Sequence, residues 1–286
     1  MPGIERIGIV GCGLMGSGIA EVCARAGLDV VVAEADDTAV RAGRARITQS
    51  LDRAVSRGKL TPSHHASALS LITVTPDLDL MADRDLVIEA VAEDETAKVR
   101  VFSRLDAIVR NPDAILATNT SSIPVMRLAA ATIRPEQVIG VHFFNPVPVL
   151  RLVEVVPSLL TSEKTEQRVH AFVTRTLSKE VIRAQDRAGF VVNALLVPYL
   201  LAGVRMFEAG LASAEDIDRG MVLGCAHPLG PLALTDLIGL DTTKAIAQSM
   251  YHEYKEPLYS PPPLLARMVD AGLLGRKSGR GFHRYT

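Results

Sequence analysis

A glycine-rich turn close to the start of the chain constrains the fold more than any other feature. The turn runs from Gly11 to Gly16, directly follows the β-rich stretch Arg6 to Val10 and opens a helical pattern that ends before Gly27. In such a GxGxxG turn the first glycine permits the tight turn, the second lets the backbone approach a pyrophosphate, and the third allows close packing of helix on strand. Unpaired N–H groups at the helix start then face the phosphates.

The context of this turn, between a strand and a helix, predicts a dinucleotide site. We expect it to be formed by Gly11, Gly13, Leu14, Met15 and Gly16. The alternative interpretation is a glycine-rich turn that binds no ligand. FAD-binding proteins share the same pattern, so the turn alone does not choose the cofactor.

An acidic residue favours NAD as that cofactor. Glu34 ends the second β-rich stretch, where a carboxylate accepts hydrogen bonds from the adenosine ribose hydroxyls. No Arg or Lys follows in Ala35 to Asp37, so a 2′-phosphate would meet negative charge without a nearby cationic partner. The alternative is that Glu34 is only a solvated strand end.

The order of patterns along the chain predicts two unlike domains. Short β-rich stretches alternate with helical segments in the first half, which is typical of a parallel sheet covered by helices. Between Val138 and Val156 two β-rich stretches are joined by Asn145 to Pro148, with no room for a crossover helix, which predicts an antiparallel pair. After a last strand at Lys179 to Ala184 the patterns are helical. We therefore expect an α/β Rossmann-type domain at residues 1–185 and a smaller all-α domain at 186–286.

Composition excludes several classes of protein. Apolar residues make up 48% of the chain and charged residues 22%, so the chain should fold throughout. A formal net charge of −1 provides no broad positive field for nucleic acid or an anionic membrane. The most apolar stretch, Phe190 to Val204, contains Asn193 and Pro198 and is too short to cross a bilayer comfortably, which indicates a buried helix.

Cysteine content and the chain start bear on location. The three cysteines, Cys12, Cys23 and Cys225, include no CxxC pair, so neither a disulfide framework nor a zinc site is indicated, and no metal is expected. The first ten residues lack the pattern of a secretory signal. A cytoplasmic location is the expectation.

Two segments carry candidate catalytic groups. Ala117 to Ser122 lies just beyond a predicted strand, at the carboxyl side of the sheet where ligands bind in open α/β folds. Its hydroxyl groups could contact a substrate, although a helix cap explains Ser122 equally well. His142 lies among apolar residues, and Glu154 lies on the opposite arm of the predicted antiparallel pair. Pairing would bring the two together, and a buried carboxylate without a partner is costly.

These residues resemble the 3-hydroxyacyl-CoA dehydrogenase family, especially its short-chain 3-hydroxybutyryl-CoA members. The resemblance extends over nearly the whole chain. The segments that carry it are Gly11 to Gly16, Val87 to Ala90, Asn119 to Ser122, His142 to Pro148, Gly189 to Asn193 and Lys277 to Phe282.

The resemblance implies an NAD-dependent oxidation of the 3-hydroxyl of an acyl-CoA in the (3S) series, or the reverse reduction. His142 would exchange the proton, Glu154 would stabilise the imidazolium, and Ser121 and Asn193 would hold the substrate oxygens. The resemblance also implies a homodimer formed through the helical domain. Residues implied at the cofactor are Glu93, Lys98, Ser121, Asn145 and Arg267, and those at CoA are Ser50 and Arg57.

Two positions depart from the family pattern. Arg57 and Arg267 stand where family members often carry lysine, which keeps the charge but changes the geometry.

Three other functions stay open. One alternative is a sugar-acid dehydrogenase of the related lambda-crystallin type. Another is the same chemistry on an acyl group tethered to a carrier protein. The third, a non-catalytic NAD-binding protein, would not need Ser121, His142, Glu154 and Asn193 together.

Overall fold

The computed structural model describes residues 3–285 and divides into two compact units, Met1–Asp186 and Arg187–Thr286. Unit 1 contains an eight-stranded sheet of order β3-β2-β1-β4-β5-β6-β7-β8. Its strands are β1 (Arg6–Val10), β2 (Asp29–Ala33), β3 (Ile72–Thr75), β4 (Leu86–Glu89), β5 (Ile115–Thr118), β6 (Val138–Phe143), β7 (Leu152–Pro157) and β8 (Glu180–Arg183). Its helices are α1 (Leu14–Arg25), α2 (Asp37–Ser56), α3 (Pro62–Ser70), α4 (Glu95–Ile108), α5 (Val125–Ala129) and α6 (Glu163–Ala171).

The sheet of unit 1 is parallel except where β6 meets β7. The inner strands β1, β4 and β5 are almost continuously apolar and buried, as expected for parallel strands covered on both faces. The predicted fold class is confirmed, and so is the antiparallel pair. The strand β3 was not predicted from the sequence, although its four residues are all β-branched and alternate between apolar and polar; a run of only four such residues is a short signal.

Antiparallel pairing of β6 and β7 fixes the register of the two candidate catalytic residues. His142 lies directly opposite Glu154, with Val141 opposite Val155 and Phe143 opposite Val153. Directly opposed residues in an antiparallel pair project from the same face of the sheet. The apolar neighbours bury the pair, and the register brings its side chains together.

Unit 2 is built from helices, as predicted. These are α7 (Val192–Glu208), α8 (Ala214–Cys225), α9 (Pro231–Ile238), α10 (Leu240–Tyr254) and α11 (Pro263–Asp270). Their buried faces form one core that includes Val197, Leu201, Leu232, Leu240 and Met250. Within residues 3–285, no helix has the length and apolar character that a bilayer span requires.

Candidate active site

The glycine turn has the geometry that the sequence predicts. At two of its positions a side chain would clash with the backbone, so only glycine fits. Gly11 has a φ of +95°, and a Cβ there would lie 2.8 Å from the Ala90 carbonyl oxygen. A Cβ at Gly16 would lie 1.9 Å from the Gly11 carbonyl oxygen. At Gly13, by contrast, a Cβ would meet no protein atom within 4 Å. The open side of Gly13, at the N-terminus of α1, therefore gives a ligand room to approach the backbone.

A cavity of about 580 Å³ adjoins this turn. It is lined by Gly11, Gly13, Glu34, Ala35, Pro76, Leu78, Val101 and residues 90–92, together with Arg100 and Arg104. The volume falls in the range of ligand pockets, and most of the lining is apolar with a few polar groups. The turn, the open backbone at Gly13 and this cavity together fit a dinucleotide.

The backbone fixes the carboxylate of Glu34 at one wall of this cavity. Its Oε1 accepts from the Cys12 N–H at 2.5 Å, and its Oε2 accepts from the Ala35 N–H at 3.0 Å. Each carboxylate oxygen can accept a further hydrogen bond. Glu34 is thus held in place while keeping acceptor capacity toward the cavity.

Direct contact joins His142 to Glu154. The Nδ1 atom of His142 lies 2.7 Å from Glu154 Oε2, and the exposed fractions of the two residues are 7% and 0%. The His142 ring also packs against Phe144 at 4.6 Å between ring centres. A carboxylate at Nδ1 fixes the orientation of an imidazole and stabilises its protonated form. The pair therefore has the geometry of a general acid–base couple.

A third carboxylate organises the loop that follows β5. Glu93 Oε1 accepts from Thr120 Oγ1 at 2.5 Å, from the Ser121 N–H at 2.9 Å and from the Ser122 N–H at 3.2 Å. Burial alone would raise the pKa of Glu93, but the nearby Lys98 ammonium and these hydrogen bonds outweigh it and lower the pKa. The ionised carboxylate thereby fixes the loop that carries Ser121.

Lys98 lies between two carboxylates inside unit 1. Its Nζ is 2.6 Å from Glu89 Oε1 and 3.3 Å from Glu93 Oε2, and its side chain is 1% exposed. Sequence reasoning missed Glu89, which is fully buried and also accepts from Thr118 Oγ1 and the Val91 N–H, both at 2.7 Å. An acidic residue that ends an apolar strand, with a lysine nine positions later, was the available signal.

The segment after His142 is held from two sides. Asn119 Oδ1 accepts from the Phe143 N–H at 2.8 Å, which ties the end of β5 to the end of β6. Lys179 Nζ donates to the carbonyl oxygens of Val147 at 2.7 Å and Leu150 at 2.6 Å. The exposed Asn145 lies between these two attachments.

The remaining predicted site residues lie elsewhere. Ser50 and Arg57 are two helical turns apart at the end of α2, where Ser50 is partly buried and Arg57 is exposed. Asn193 is buried in the first turn of α7, and Arg267 is exposed on α11. In unit 1 the structure therefore groups His142 with Glu154, and Ser121 with Glu93 and Lys98, whereas Asn193 and Arg267 belong to unit 2.

Comparison with known proteins gives one consistent result. Residues 6–187 match the family model for the NAD-binding domain of 3-hydroxyacyl-CoA dehydrogenase, and residues 189–285 match the model for its C-terminal domain. A 3-hydroxybutyryl-CoA dehydrogenase of Mycobacterium tuberculosis is 58% identical, over 99% of this chain and 99% of the relative. A mitochondrial hydroxyacyl-coenzyme A dehydrogenase of Sus scrofa is 40% identical, over 99% and 91% of the two chains.

A solved structure agrees with these sequence matches. The crystal structure of (S)-3-hydroxybutyryl-CoA dehydrogenase from Ralstonia eutropha is similar with a TM-score of 0.92 and 46% identity. The similarity covers 99% of each chain.

Proposed function

The chain belongs to the 3-hydroxyacyl-CoA dehydrogenase family of NAD-dependent oxidoreductases, and we propose that it interconverts (3S)-3-hydroxybutyryl-CoA and acetoacetyl-CoA with His142 as the acid–base residue. The 2.7 Å contact between His142 Nδ1 and Glu154 Oε2 carries the proposed mechanism. The names of the relatives at 58% and 46% identity support the short acyl chain.

The glycine turn and the cavity beside it hold the cofactor in this proposal. N–H groups of the glycine turn would donate to the pyrophosphate, and Glu34 would accept from the adenosine ribose hydroxyls. When bound, NAD supplies the hydride acceptor for the 3-carbon. Toward the nicotinamide half we assign Glu93, Lys98, Ser121, Asn145 and Arg267.

Proton transfer is assigned to the second ring nitrogen of His142. Glu154 engages Nδ1, so Nε2 is the atom that exchanges a proton with the 3-oxygen of the substrate. In the oxidative direction the imidazole gains a proton, and the Glu154 carboxylate stabilises the resulting charge. Burial of the pair keeps water from weakening this interaction.

Substrate contacts are assigned residue by residue. Ser121 follows β5, and His142 is the penultimate residue of the neighbouring parallel strand β6, so both lie near the carboxyl edge of the sheet. We assign the substrate 3-oxygen to Ser121 and His142, a further oxygen contact to Asn193, and the CoA moiety to Ser50 and Arg57. Residues 1–185 then carry all the assigned cofactor contacts except Arg267, and residues 186–286 contribute to substrate binding and dimerisation.

A homodimer in the cytoplasm completes the proposal. The helical unit exposes large apolar side chains, among them Leu195, Leu211 and Leu223 at 75%, 74% and 71%. Association surfaces are contiguous apolar patches, and the proposed dimer places these leucines in one. The cysteines Cys12, Cys23 and Cys225 are all unbridged, which suits a reducing compartment. Light scattering on the purified protein should give twice the chain mass, and a monomer at micromolar concentration would contradict the dimer.

An NADH-oxidation assay tests the proposed substrate. The acyl group is offered as acetoacetyl-CoA, as acetoacetyl carrier protein and, for comparison, as a keto sugar acid. We expect the highest kcat/KM with acetoacetyl-CoA. A higher value with the carrier-bound substrate or the sugar acid would assign the site to one of those substrates instead.

A further inference from the structure

Two arginines of α4 line the same cavity as Glu34. Arg100 and Arg104 are four residues apart, so they lie on one face of the helix in consecutive turns. Both side chains are exposed, and within residues 3–285 neither forms a hydrogen bond or an ion pair. The neighbouring cation on α4, Lys98, is instead buried between carboxylates. The two guanidinium groups are therefore unpaired at the cavity wall.

The rest of the cavity indicates which part of a dinucleotide these arginines meet. In a bound dinucleotide the pyrophosphate would lie at the glycine turn, and the adenosine ribose would lie at Glu34. The adenine base must then extend beyond Glu34, where Ala35, Pro76 and Leu78 give an apolar lining. A purine is flat and aromatic, and guanidinium planes stack on such faces.

We propose that Arg100 and Arg104 bind the adenosine end of the dinucleotide, with their guanidinium planes against the adenine base. This inference rests on the proposed function insofar as it takes NAD to bind at the glycine turn. Residues 35–37 include no Arg or Lys that could meet a 2′-phosphate. The fold supplies two cations from a helix that lies about 65 positions later in the chain.

Binding measurements on isolated halves of the cofactor test the proposal. Calorimetry gives Kd for NADH, for ADP-ribose, which lacks the nicotinamide, and for reduced nicotinamide mononucleotide, which lacks the adenosine. In the double variant Arg100→Gln/Arg104→Gln we expect Kd for NADH and ADP-ribose to rise together, by roughly five- to thirtyfold, the usual range for loss of stacking and cation–π contacts. Kd for the mononucleotide should stay unchanged.

Arg110→Gln is the matched control, because Arg110 follows the same helix, is exposed and does not line the cavity. It removes one positive charge from the same region and should leave all three Kd values unchanged. An unchanged Kd for ADP-ribose in a double variant with wild-type thermal stability would overturn the inference. Equal weakening of the mononucleotide would also overturn it, since that pattern indicates a general field rather than contact with adenine.

The wild-type protein separates this inference from the proposed function. Failure of the wild-type protein to bind NADH and ADP-ribose would overturn both together. Wild-type binding with an unaffected double variant overturns only the assignment of the two arginines.

Discussion

Two buried carboxylates of unit 1 have partners of different chemistry. Glu154 meets the His142 imidazole at 2.7 Å, and Glu89 meets the Lys98 ammonium at 2.6 Å, with both carboxylates fully buried. An imidazole can exchange a proton at one ring nitrogen while the other engages a carboxylate, whereas an ammonium held between carboxylates only donates to them. Glu89 also accepts from a threonine hydroxyl and a backbone N–H. The first pair is thus suited to moving a proton, and the second is suited to fixing the strand ends around it.

The largest effect should come from His142, the residue proposed to exchange the proton. His142→Gln removes the proton acceptor but keeps a group that can donate to Glu154. We expect kcat to fall by roughly two to four orders of magnitude, the usual contribution of general acid–base catalysis, with NADH affinity and thermal stability close to wild type. Near-normal turnover in folded His142→Gln, with a lowered melting temperature, would instead make His142 a packing residue.

Loss of the Lys98–Glu89 pair should lower the stability of the fold. Lys98→Met leaves the fully buried Glu89 without its cation, so we expect the free energy of unfolding without cofactor to fall by about 3–5 kcal/mol in urea titrations. Lys164→Met is the matched control, because the Lys164–Asp113 pair has a similar 2.7 Å contact but is exposed. The control should leave the free energy of unfolding nearly unchanged, because so exposed a pair contributes little. An equal loss of unfolding free energy in the two variants would mean that the buried Lys98–Glu89 pair contributes no more to stability than an exposed pair.

A smaller effect on stability at low pH should come from Glu93, the second carboxylate beside Lys98. The pKa of Glu93 lies below its ordinary value of 4.5, so Glu93 stabilises the fold above that pH, and the contribution is lost as pH falls through the lowered pKa. Urea titrations at successive pH values below 4.5 should show a shallower loss of stability in Glu93→Gln than in the wild type. Parallel curves would mean that the Glu93 carboxylate does not contribute.

The smallest effect on turnover should come from Arg57, the proposed CoA contact. Arg57 is exposed at the end of α2 and has no part in either carboxylate network. Arg57→Ala should raise KM for acetoacetyl-CoA by up to about tenfold with little change in kcat, because a phosphate contact far from the reacting carbon is shared by ground and transition states. An unchanged KM would remove Arg57 from the CoA site.

Sequence alone predicted those parts of the fold and site that depend on local patterns. The glycine turn and the β6–β7 pair follow from strand, turn and helix signals, and the register then brings His142 to Glu154. The Lys98–Glu89 pair and the cavity position of Arg100 and Arg104 were not predicted. They depend on how α4 packs beside the sheet, which no local pattern specifies.

Other assignments depended on the family resemblance. Asn193 and Arg267 are single polar residues on helices, and no spacing within their segments distinguishes a substrate contact from an ordinary helix residue. Ser50 and Arg57 likewise form an ordinary polar helix end when they are considered without relatives.

A double-mutant cycle on His142 and Glu154 tests the central claim most directly. The measurement is kcat for His142→Gln, for Glu154→Gln and for the double variant, each shown to be folded and to bind NADH. If the carboxylate acts through the imidazole, both single variants lose most of their turnover and the double variant loses far less than the sum of the two effects on the activation free energy. If the two losses simply add, the residues act independently, and the 2.7 Å contact between them is not the basis of catalysis.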